Sequence, residues 1–486
     1  MQYKGKFPEE DRAENTFDQG FMADLHQARF QQCLLYNNTN NNQQHGRPYG
    51  RGGYRGANRV TTLPPPSQLQ QLRPQIQRQP QQLQIQPIQQ NYSIPADGIL
   101  PGGRLTRFYN NWKKIIKHPW PLKLIQEGCQ IQFAKTPKPW YSPRRSIPAE
   151  EQKEINIAVE KFQTAGIIEK CTDPRARGYL SRFFTLQEAT KRRPILDCRR
   201  FNQFIQVEHF KMEGVSALRD LIEPNDYMVK LDLQDAYTVV PIHPNSSPFL
   251  VFENLGTVYQ YKALNFGLNV APRIFSKILQ YAIESLRREG IRMVYYLDDI
   301  CILSQDPQDL QQKAQRVITH LESLGFIINR RESLLTPSHI QEYLGFEFNT
   351  KKMTIRVPNL KINKLMQRIK QVMTPTVRTC RWMTGLIGKI TAMIPAVGEA
   401  LLHIRHIQRS LSRSLSTQAY NWEGPCHLDQ QSVEELQWWK TFLTKKNGLP
   451  IQRIALKKPQ ITITTDSSDT GWGVNSPIIQ TVSCLR

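Results

Sequence analysis

The sequence predicts an α+β fold, with helices and strands mixed within one unit over about residues 150–350 and a helical region after it. Three observations support this prediction. Apolar residues recur at helical spacing in two segments that each end on a glycine. Between these segments lie short runs rich in β-branched and aromatic residues, such as YMVKLDL, PFLVFE and MVYYLDDICIL. Beyond residue 350, the helical period returns in several segments.

Two helices are predicted to flank the strands. The first lies in PAEEQKEINIAVEKFQTAG and ends on Gly166, since glycine favours helix termination. The second lies in DPQDLQQKAQRVITHLESLG, with Pro307 in its first turn and Gly325 at its end. The residues expected to face the core are Ile155, Ala158, Val159 and Phe162 in the first helix and Leu310, Ala314, Val317 and Leu321 in the second.

The helical region after residue 350 is predicted from LKINKLMQRIKQVM, RWMTGLIGKITAMI and SVEELQWWKTFL. In the last segment, Ser432 and Glu435 have the S-x-x-E spacing of a capping box. We therefore expect that helix to begin at Ser432.

Residues 1–96 are predicted to form a disordered arm, and residues 97–149 a helical or extended segment that leads into the fold. Residues 41–96 carry six arginines and no acidic residue, and their Asn, Gln and Pro tracts contain too few large apolar side chains to form a core. The piece GRPYGRGGYRGANR alternates arginine with tyrosine, which suits stacking on unpaired bases. An inert tether explains the same composition, so both interpretations stay open.

The net charge favours a polyanionic partner. The chain has 64 Lys and Arg against 41 Asp and Glu, a formal charge of +23, which suits nucleic acid, with an anionic membrane surface as the competing interpretation. No apolar run has the length of a membrane span, and no secretory signal is expected. The eight cysteines are scattered, which favours neither a disulfide framework nor a zinc finger. We expect a location inside the cell, in cytoplasm or nucleus.

Two acidic stations carry the clearest chemical signal. Asp298 and Asp299 interrupt two apolar runs, as in a tight hairpin with carboxylates at its tip. Asp232 lies in an apolar strand pattern, where an uncompensated charge is costly, so a cation should neutralise it. If the two strands are neighbours, the carboxylates converge on Mg²⁺. Either fragment alone is more typical of an ordinary turn or cap.

The order of the motifs resembles that of retroelement reverse transcriptases, with DIRS-type and gypsy-like elements most similar. The motifs are SRFFTLQEATKRRPILDCRRFN, KLDLQDAY, YKALNFGLNVAPRIF, YYLDDI, LGFIIN and YLGFEF. The resemblance implies a right-hand polymerase, with fingers and palm over residues 150–350 and thumb and connection helices over 351–455. Residues 456–486, with ITITTDSSDTGWGV, resemble the start of a ribonuclease H domain.

The resemblance also implies functional roles. The catalytic carboxylates would be Asp232, Asp298 and Asp299, which with Leu233 would hold two Mg²⁺ ions, Mn²⁺ being possible. The residues that would contact the incoming dNTP are Arg193, Asp235, Ala236, Tyr237, Phe266 and Gly267. Those that would contact nucleic acid are Asp197, Arg199, Tyr296, Tyr343, Leu344 and Gly345. Core packing of Tyr237 and Phe266, a solvated basic turn around Arg193 and a plain strand pair in YLGFEF are the structural alternatives.

The sequence departs from the family pattern at several places. Where the family has a lysine-rich fingers tip, this chain has Leu186, Gln187 and Glu188, and Lys191 or Arg192 is a candidate substitute. Asn265 replaces the proline that precedes Phe-Gly. Asp466 would be the first ribonuclease H ligand, but too little sequence follows to supply the others, so no ribonuclease H activity is expected.

The expected function is RNA-directed DNA polymerisation of a retrotransposon, with an RNA template, a DNA primer or hybrid duplex and dNTPs as partners. Two alternatives remain. One is a catalytically inactive remnant that still binds nucleic acid, as the altered fingers tip suggests. The other is a template-independent nucleotidyltransferase, which needs the metal site but not the YLGFEF hairpin. The sequence does not determine the oligomeric state.

Overall fold

The computed structural model describes residues 95, 97–141, 146–173, 176, 178–187, 192–374, 377–451, 463–467, 471–475 and 482–485. The predicted arm, apart from Pro95, lies outside these residues. Among the described residues, no helix combines the length and the apolar character that crossing a bilayer requires.

The α-helices, in chain order, are α1 Tyr109–Ile115, α2 Pro119–Glu127, α3 Ala149–Thr164, α4 Arg199–Asn202, α5 Val215–Leu221, α6 Ala271–Arg288, α7 Pro307–Ser323, α8 Asn359–Val372, α9 Cys380–Thr391, α10 Arg405–Thr417 and α11 Gln430–Lys446. Short 3-10 turns cover Arg104–Phe108, Ser247–Phe249 and Ile394–Ala396. The strands, in chain order, are β1 Trp140–Tyr141, β2 Ile168–Lys170, β3 Tyr179–Leu180, β4 Phe183–Gln187, β5 Arg192–Leu196, β6 Tyr227–Asp232, β7 Val251–Asn254, β8 Thr257–Tyr261, β9 Arg292–Tyr296, β10 Asp299–Ser304, β11 Leu334–Ser338, β12 Ile340–Tyr343, β13 Phe346–Asn349, β14 Thr354–Arg356, β15 Arg378–Thr379, β16 Pro425–Cys426, β17 Leu449–Pro450, β18 Thr464–Ser467, β19 Gly471–Asn475 and β20 Val482–Leu485.

The central sheet has the strand order β11-β6-β10-β9, and its paired strands are antiparallel. It contains both acidic stations, because β6 ends at Asp232 and β10 begins at Asp299. Apart from Lys230 and the residues at their ends, the middle strands are apolar, and Val229, Leu231 and Ile302 are fully buried. Asp232 and Asp299 therefore lie at one end of the two middle strands, where the buried part of the sheet ends.

The two helices predicted in the α+β region form where expected. The structure places them at α3 and α7, and all eight residues predicted to face the core are buried. Gly166 and Gly325 follow these helices with φ of +69° and +94°, a conformation that glycine adopts without steric cost. Helical periodicity and the terminating glycine were sufficient signals for both elements.

The segment that leads into the fold is part of its core. Leu105, Trp112 and Ile125 are fully buried, and the Trp112 Nε1–H donates to the carbonyl of Leu324 at 2.8 Å. The backbone N–H of Leu105 donates to the carbonyl of Val239 and that of Cys129 to the carbonyl of Pro241, just beyond strand β6. Residues 105–129 therefore brace the chain that follows Asp232.

The helical region closes back onto a sheet. Strand β17 pairs with β14 in a sheet of order β12-β13-β14-β17. Along the chain, helices α8 to α11 come between these two strands, so the chain returns to the sheet after the helices. A single buried cluster contains Met228 and Leu303 of the central sheet together with Leu386 and Trp439 of the helices. The predicted boundary at residue 350 is therefore a change of secondary structure and does not divide the hydrophobic core.

The predicted start of the last long helix is wrong. α11 begins at Gln430, and its cap is Asp429, whose side chain accepts from the N–H of Ser432 at 2.9 Å. Glu435 instead accepts from the N–H groups of His406 and Ile407, both at 3.0 Å, in the first turn of α10. The S-x-x-E pattern thus serves two different helices, because a carboxylate in the second turn can reach a neighbouring helix.

Candidate active site

The two acidic stations meet on adjacent strands. Asp232 and Asp299 are Cα partners in the β6–β10 ladder, and Asp298 occupies the turn between β9 and β10. This turn is tight: Leu297 has φ of +54°, and the N–H of Leu233 donates to the carbonyl of Asp298 at 2.9 Å. The predicted hairpin with carboxylates at its tip is confirmed.

A short turn after α7 holds Asp232 from three sides. The side-chain Nδ2 of Asn329 donates to Asp232 Oδ1 at 2.8 Å, and the backbone N–H of Asn329 donates to the Asp232 carbonyl at 2.8 Å. The backbone N–H of Asp232 donates to Ser333 Oγ at 3.0 Å. The position of Asp232 is therefore determined by its own strand and by residues that lie far along the chain.

Burial raises the pKa of Asp232 to about 6, and the neighbouring charges of Asp298 and Asp299 contribute to the rise. The hydrogen bond from Asn329 opposes the shift without cancelling it. The site therefore favours a proton or a cation on Asp232, as expected where carboxylates cluster in a partly buried setting. The sequence argument that a cation should neutralise Asp232 has this physical basis.

Asp299 has a different partner. Lys230 Nζ lies 2.7 Å from Asp299 Oδ1, and the two side chains are 22% and 24% exposed. Among the described residues, no group of three or more His, Cys, Asp and Glu side chains is placed to hold a metal ion. Asp299, predicted as a metal ligand, is thus paired with Lys230, and metal binding by Asp232, Asp298 and Asp299 stays a prediction.

The chemistry of this donor set fits Mg²⁺. Mg²⁺ takes hard oxygen ligands and is usually bound by one or two carboxylates together with water and substrate phosphates. Asp232 and Asp298 supply carboxylates, while Leu233 directly follows Asp232 and remains a predicted contributor. A site of two carboxylates completed by phosphate oxygens needs no third side chain.

Three residues predicted to contact the incoming nucleotide form one layered cluster. The Arg193 guanidinium lies 4.5 Å from the centroid of the Phe266 ring, and that centroid lies 4.8 Å from the Tyr237 ring. Tyr237 is 8% exposed and packs edge-on against Phe275. Tyr237 is therefore packed between Phe266 and Phe275, as the core-packing alternative expected, and its contact with a nucleotide stays a prediction.

The remaining predicted nucleotide residues lie nearby in strained or closely packed backbone. Asp235 has φ of +52°, and Ala236 is buried. Gly267 has φ of +111°, and a Cβ there would lie 2.2 Å from the carbonyl oxygen of Leu196. Gly267 therefore permits the close approach that the sequence suggested, and the backbone it approaches is that of β5.

The predicted nucleic-acid contacts divide into two groups. Asp197 and Arg199 form a paired set at 2.6 Å, and although burial acts in the opposite direction, Arg199 holds the pKa of Asp197 below its usual value. Tyr296 is half-buried and is the Cα partner of Asp299. The contact of Asp197, Arg199 and Tyr296 with nucleic acid stays a prediction.

The predicted contacts in YLGFEF lie in two different settings. Tyr343 is fully buried in the core, and its hydroxyl is directed to the Asp299 carbonyl at 3.4 Å, so its ring does not reach the surface. Leu344 and Gly345 form the turn of the β12–β13 hairpin, with φ of +48° and +73°. Lys361 Nζ donates to the Gly345 carbonyl at 2.7 Å. The turn, rather than Tyr343, remains the candidate contact.

The departures from the family pattern have mixed outcomes. Glu188 and Lys191 lie outside the described residues, as does the side chain of Asp466, whose strand β18 pairs with β19. Asn265 is 1% exposed and donates to the Phe266 carbonyl at 3.0 Å.

Lys230, Asn329 and Ser333 were not identified from the sequence. Lys230 had a detectable signal: it lies two residues before Asp232, and side chains two apart in a strand share a face. Asn329 and Ser333 had no local signal, because their partner is distant in the chain.

Comparison with known proteins agrees with this geometry. Residues 185–348 match the family described as reverse transcriptase (RNA-dependent DNA polymerase). The chain is 22% identical over 418 residues to the Gag-Pol polyprotein of Avian reticuloendotheliosis virus, a match that covers 82% of this chain and 34% of that protein. It is 21% identical over 387 residues to the Pol polyprotein from transposon opus of Drosophila melanogaster, covering 77% and 36% respectively.

Solved structures show the same fold. A foamy viral protease-reverse transcriptase in complex with double-stranded DNA superposes with a TM-score of 0.55 at 15% identity, covering 78% of this chain and 68% of that one. The same protein with an RNA/DNA hybrid gives a TM-score of 0.55, covering 79% and 52%. The chain spans only about a third of the two polyproteins that it resembles. Residues 185–348 therefore match a reverse transcriptase domain, and the chain shares the fold of solved reverse transcriptases.

Proposed function

We propose that this chain is an RNA-directed DNA polymerase that adds dNTPs to a primer 3′ end, with pyrophosphate as the leaving group. The observation that carries the proposal is that Asp232 lies opposite Asp299 at the end of the central sheet, with Asp298 in the adjoining turn and close enough to raise the pKa of Asp232. The Arg193–Phe266–Tyr237 cluster supports it, because it places a guanidinium and two aromatic rings together.

Asp232 and Asp298 would hold two Mg²⁺ ions, with Mn²⁺ as a possible substitute. Bound there, the metal would stabilise charge on the attacking and leaving oxygens of phosphoryl transfer. The protein's own contribution is to fix the carboxylates, through Asn329 on Asp232 and through the tight turn on Asp298. The raised pKa of Asp232 supports this role, because a bound cation would stabilise the ionised carboxylate.

The cluster beside the carboxylates would bind the nucleotide. The guanidinium of Arg193 presents several donors in a plane, which suits the oxygens of a triphosphate. Tyr237 packs against Phe266 and Phe275, so its ring would be a rigid surface for a deoxyribose to contact. A rigid ring at that place would exclude a 2′-hydroxyl.

The nucleic-acid partners would be an RNA template and a DNA primer, held mainly through phosphates. The net charge of +23 supports this, and the foamy viral relatives were solved with double-stranded DNA and with an RNA/DNA hybrid. Binding through phosphates predicts an affinity that falls steeply with salt. We also propose that the protein acts inside the cell, in cytoplasm or nucleus.

The test is extension of a labelled DNA primer on an RNA template by the purified chain with Mg²⁺ and dNTPs. Omitting the template separates a templated polymerase from a template-independent transferase, since only the latter would still extend the primer. A chain that binds the primed template in a salt-sensitive way without extending it would be a non-catalytic remnant. Gln187 and Glu188, which stand where the family has a lysine-rich fingers tip, would then be the first residues to replace with lysine.

A further inference from the structure

We propose that Lys230 is a positioning residue that keeps Asp299 out of the metal-binding set and leaves Asp232 and Asp298 as its two carboxylates. This inference rests on the proposed function, since it concerns the same site. It gives the third acidic residue a different task from the other two. It also identifies a lysine for which the catalytic motifs provided no role.

The strand register places Lys230 against Asp299. Asp232 pairs with Asp299 and Lys230 pairs with Cys301, so Lys230 is the diagonal neighbour of Asp299 on the same face. The ammonium reaches Asp299 Oδ1 at 2.7 Å. Both side chains are more than three-quarters buried, so solvent screens this pair less than a surface pair.

The environment of Lys230 makes the pair specific. Cys301, its strand partner, is fully buried, as are Val229 and Leu231 on either side of it in the strand. An ammonium that emerges from such apolar surroundings needs a counter-charge. The nearest one is Asp299, while Asp232 is held by the neutral Asn329. Asp299 is thus paired with a charged donor, Lys230, whereas Asp232, which would bind metal, accepts from the uncharged Asn329.

The charge of the site follows from this arrangement. Three ionised carboxylates without Lys230 would present a charge of −3, and the ammonium reduces it to −2. An ammonium has no lone pair to offer a metal, and its hydrogen bond occupies an oxygen of Asp299. The set that remains, two carboxylates, is the number that Mg²⁺ commonly takes together with phosphate oxygens.

The test compares the full chain with Lys230→Met, Lys230→Arg, Asp299→Asn and the double variant Lys230→Met/Asp299→Asn. Binding of Mn²⁺ by the chain with primed template is followed by electron paramagnetic resonance, beside primer extension and thermal unfolding. Lys262→Met is the control, since Lys262 directly follows β8 and pairs at 3.1 Å with Glu169 of β2, in a different sheet from Asp232 and Asp299.

We expect Lys230→Met to bind Mn²⁺ more tightly, on the order of five- to ten-fold, because a positive charge beside the site is removed. Its kcat should fall on the order of ten- to a hundred-fold with little change in the KM for dNTP, as for other partners of ligand groups. Lys230→Arg should restore both quantities. In the double variant, Mn²⁺ affinity should return toward the wild-type value, because Asp299 no longer adds its charge.

A purely structural ion pair predicts another pattern. Lys230→Met would then lower the unfolding temperature and the fraction of active protein while Mn²⁺ affinity stayed unchanged, which would overturn the proposal. An equal shift of Mn²⁺ affinity in the presence and absence of Asp299 would overturn it as well. If the Mn²⁺ shifts occur as expected but the wild type extends no primer, the positioning role stands and the proposed function fails.

Discussion

Asp232 and Asp299 are Cα partners on adjacent antiparallel strands, so their carboxylates lie on one face of the central sheet. Like charges that lie opposite each other in a sheet are destabilising. The protein offsets this repulsion with a separate donor for each group, Asn329 for Asp232 and Lys230 for Asp299. Activity and stability should therefore depend on Asn329 and Lys230, on the negative charge of Asp232, and on the packing that supports the site.

Replacing Asn329 with Ala should lower kcat on the order of ten- to a hundred-fold with little loss of stability, because Asp232 Oδ1 loses the donor that orients it. Steady-state primer extension measures this effect. Asn329→Asp should be more severe, since it places a second negative charge beside Asp232. The exposed Asn363 in α8 is the control, and equal activity of Asn329→Ala and Asn363→Ala would show that Asn329 does not position Asp232.

The raised pKa of Asp232 predicts a pH-dependent stability in the absence of metal. Because the folded pKa, about 6, lies above the unfolded value, the folded state binds more protons between about pH 4 and 6. The contribution of Asp232 to stability is therefore greatest below pH 4 and is lost as the pH rises through 6. Asp232→Asn should be more stable than the wild type by about 3 kcal/mol at pH 7.5 and equal to it near pH 3.5.

Denaturant unfolding in EDTA at the two pH values measures that difference. The exposed Asp220 in α5 provides the control, because Asp220→Asn should change little at either pH. A stability difference for Asp232→Asn that stays constant with pH would contradict a raised pKa.

Gly267→Ala should destabilise the chain by about 3 kcal/mol or more and abolish activity, since a Cβ there would lie 2.2 Å from the Leu196 carbonyl oxygen in addition to the cost of a positive φ. Gly256 has φ of +78° with no atom within 4 Å of the position that a Cβ would take, so Gly256→Ala isolates the backbone cost, about 1 kcal/mol. Chemical denaturation compares the two. Equal losses would mean that the close approach at Gly267 is unimportant.

Trp112→Ala should cost about 3 to 5 kcal/mol of folding free energy, because it empties a fully buried site and removes a hydrogen bond to Leu324. Trp120, in the same segment, is 37% exposed, and Trp120→Ala should cost less than about 1 kcal/mol. Thermal unfolding of both variants tests whether residues 97–128 belong to the core. A small effect at Trp112 would mean that this segment contributes little to the core.

Local patterns were enough to predict α3, α7 and the hairpin at Asp298, because periodicity, a terminating glycine and an interrupted apolar run are properties of neighbouring residues. They failed where a side chain has partners far along the chain. Glu435 caps another helix, and Tyr343 lies in a core shared with the helical region. Asn329 contacts Asp232 across 97 positions, a relationship that no local spacing indicates.

The resemblance to reverse transcriptases selected residues that the structure then brings together, such as Arg193, Tyr237 and Phe266. It did not identify a role for Lys230. A motif describes the residues that a family has in common at a site, and it does not say which charged side chain pairs with which. The strand alternation through Asp232 contained that information.

The central claim is that Asp298, beside Asp232, makes this chain a templated DNA polymerase. The most direct measurement is single-nucleotide addition to a DNA primer on RNA templates that differ only in the next base, for the wild type, Asp298→Asn and the surface control Asp220→Asn. The account predicts that the wild type and Asp220→Asn add the complementary dNTP at each template base, and that Asp298→Asn, folded and bound to the same primed template, adds none. Addition by Asp298→Asn at the wild-type rate, or addition that ignores the template base, would contradict it.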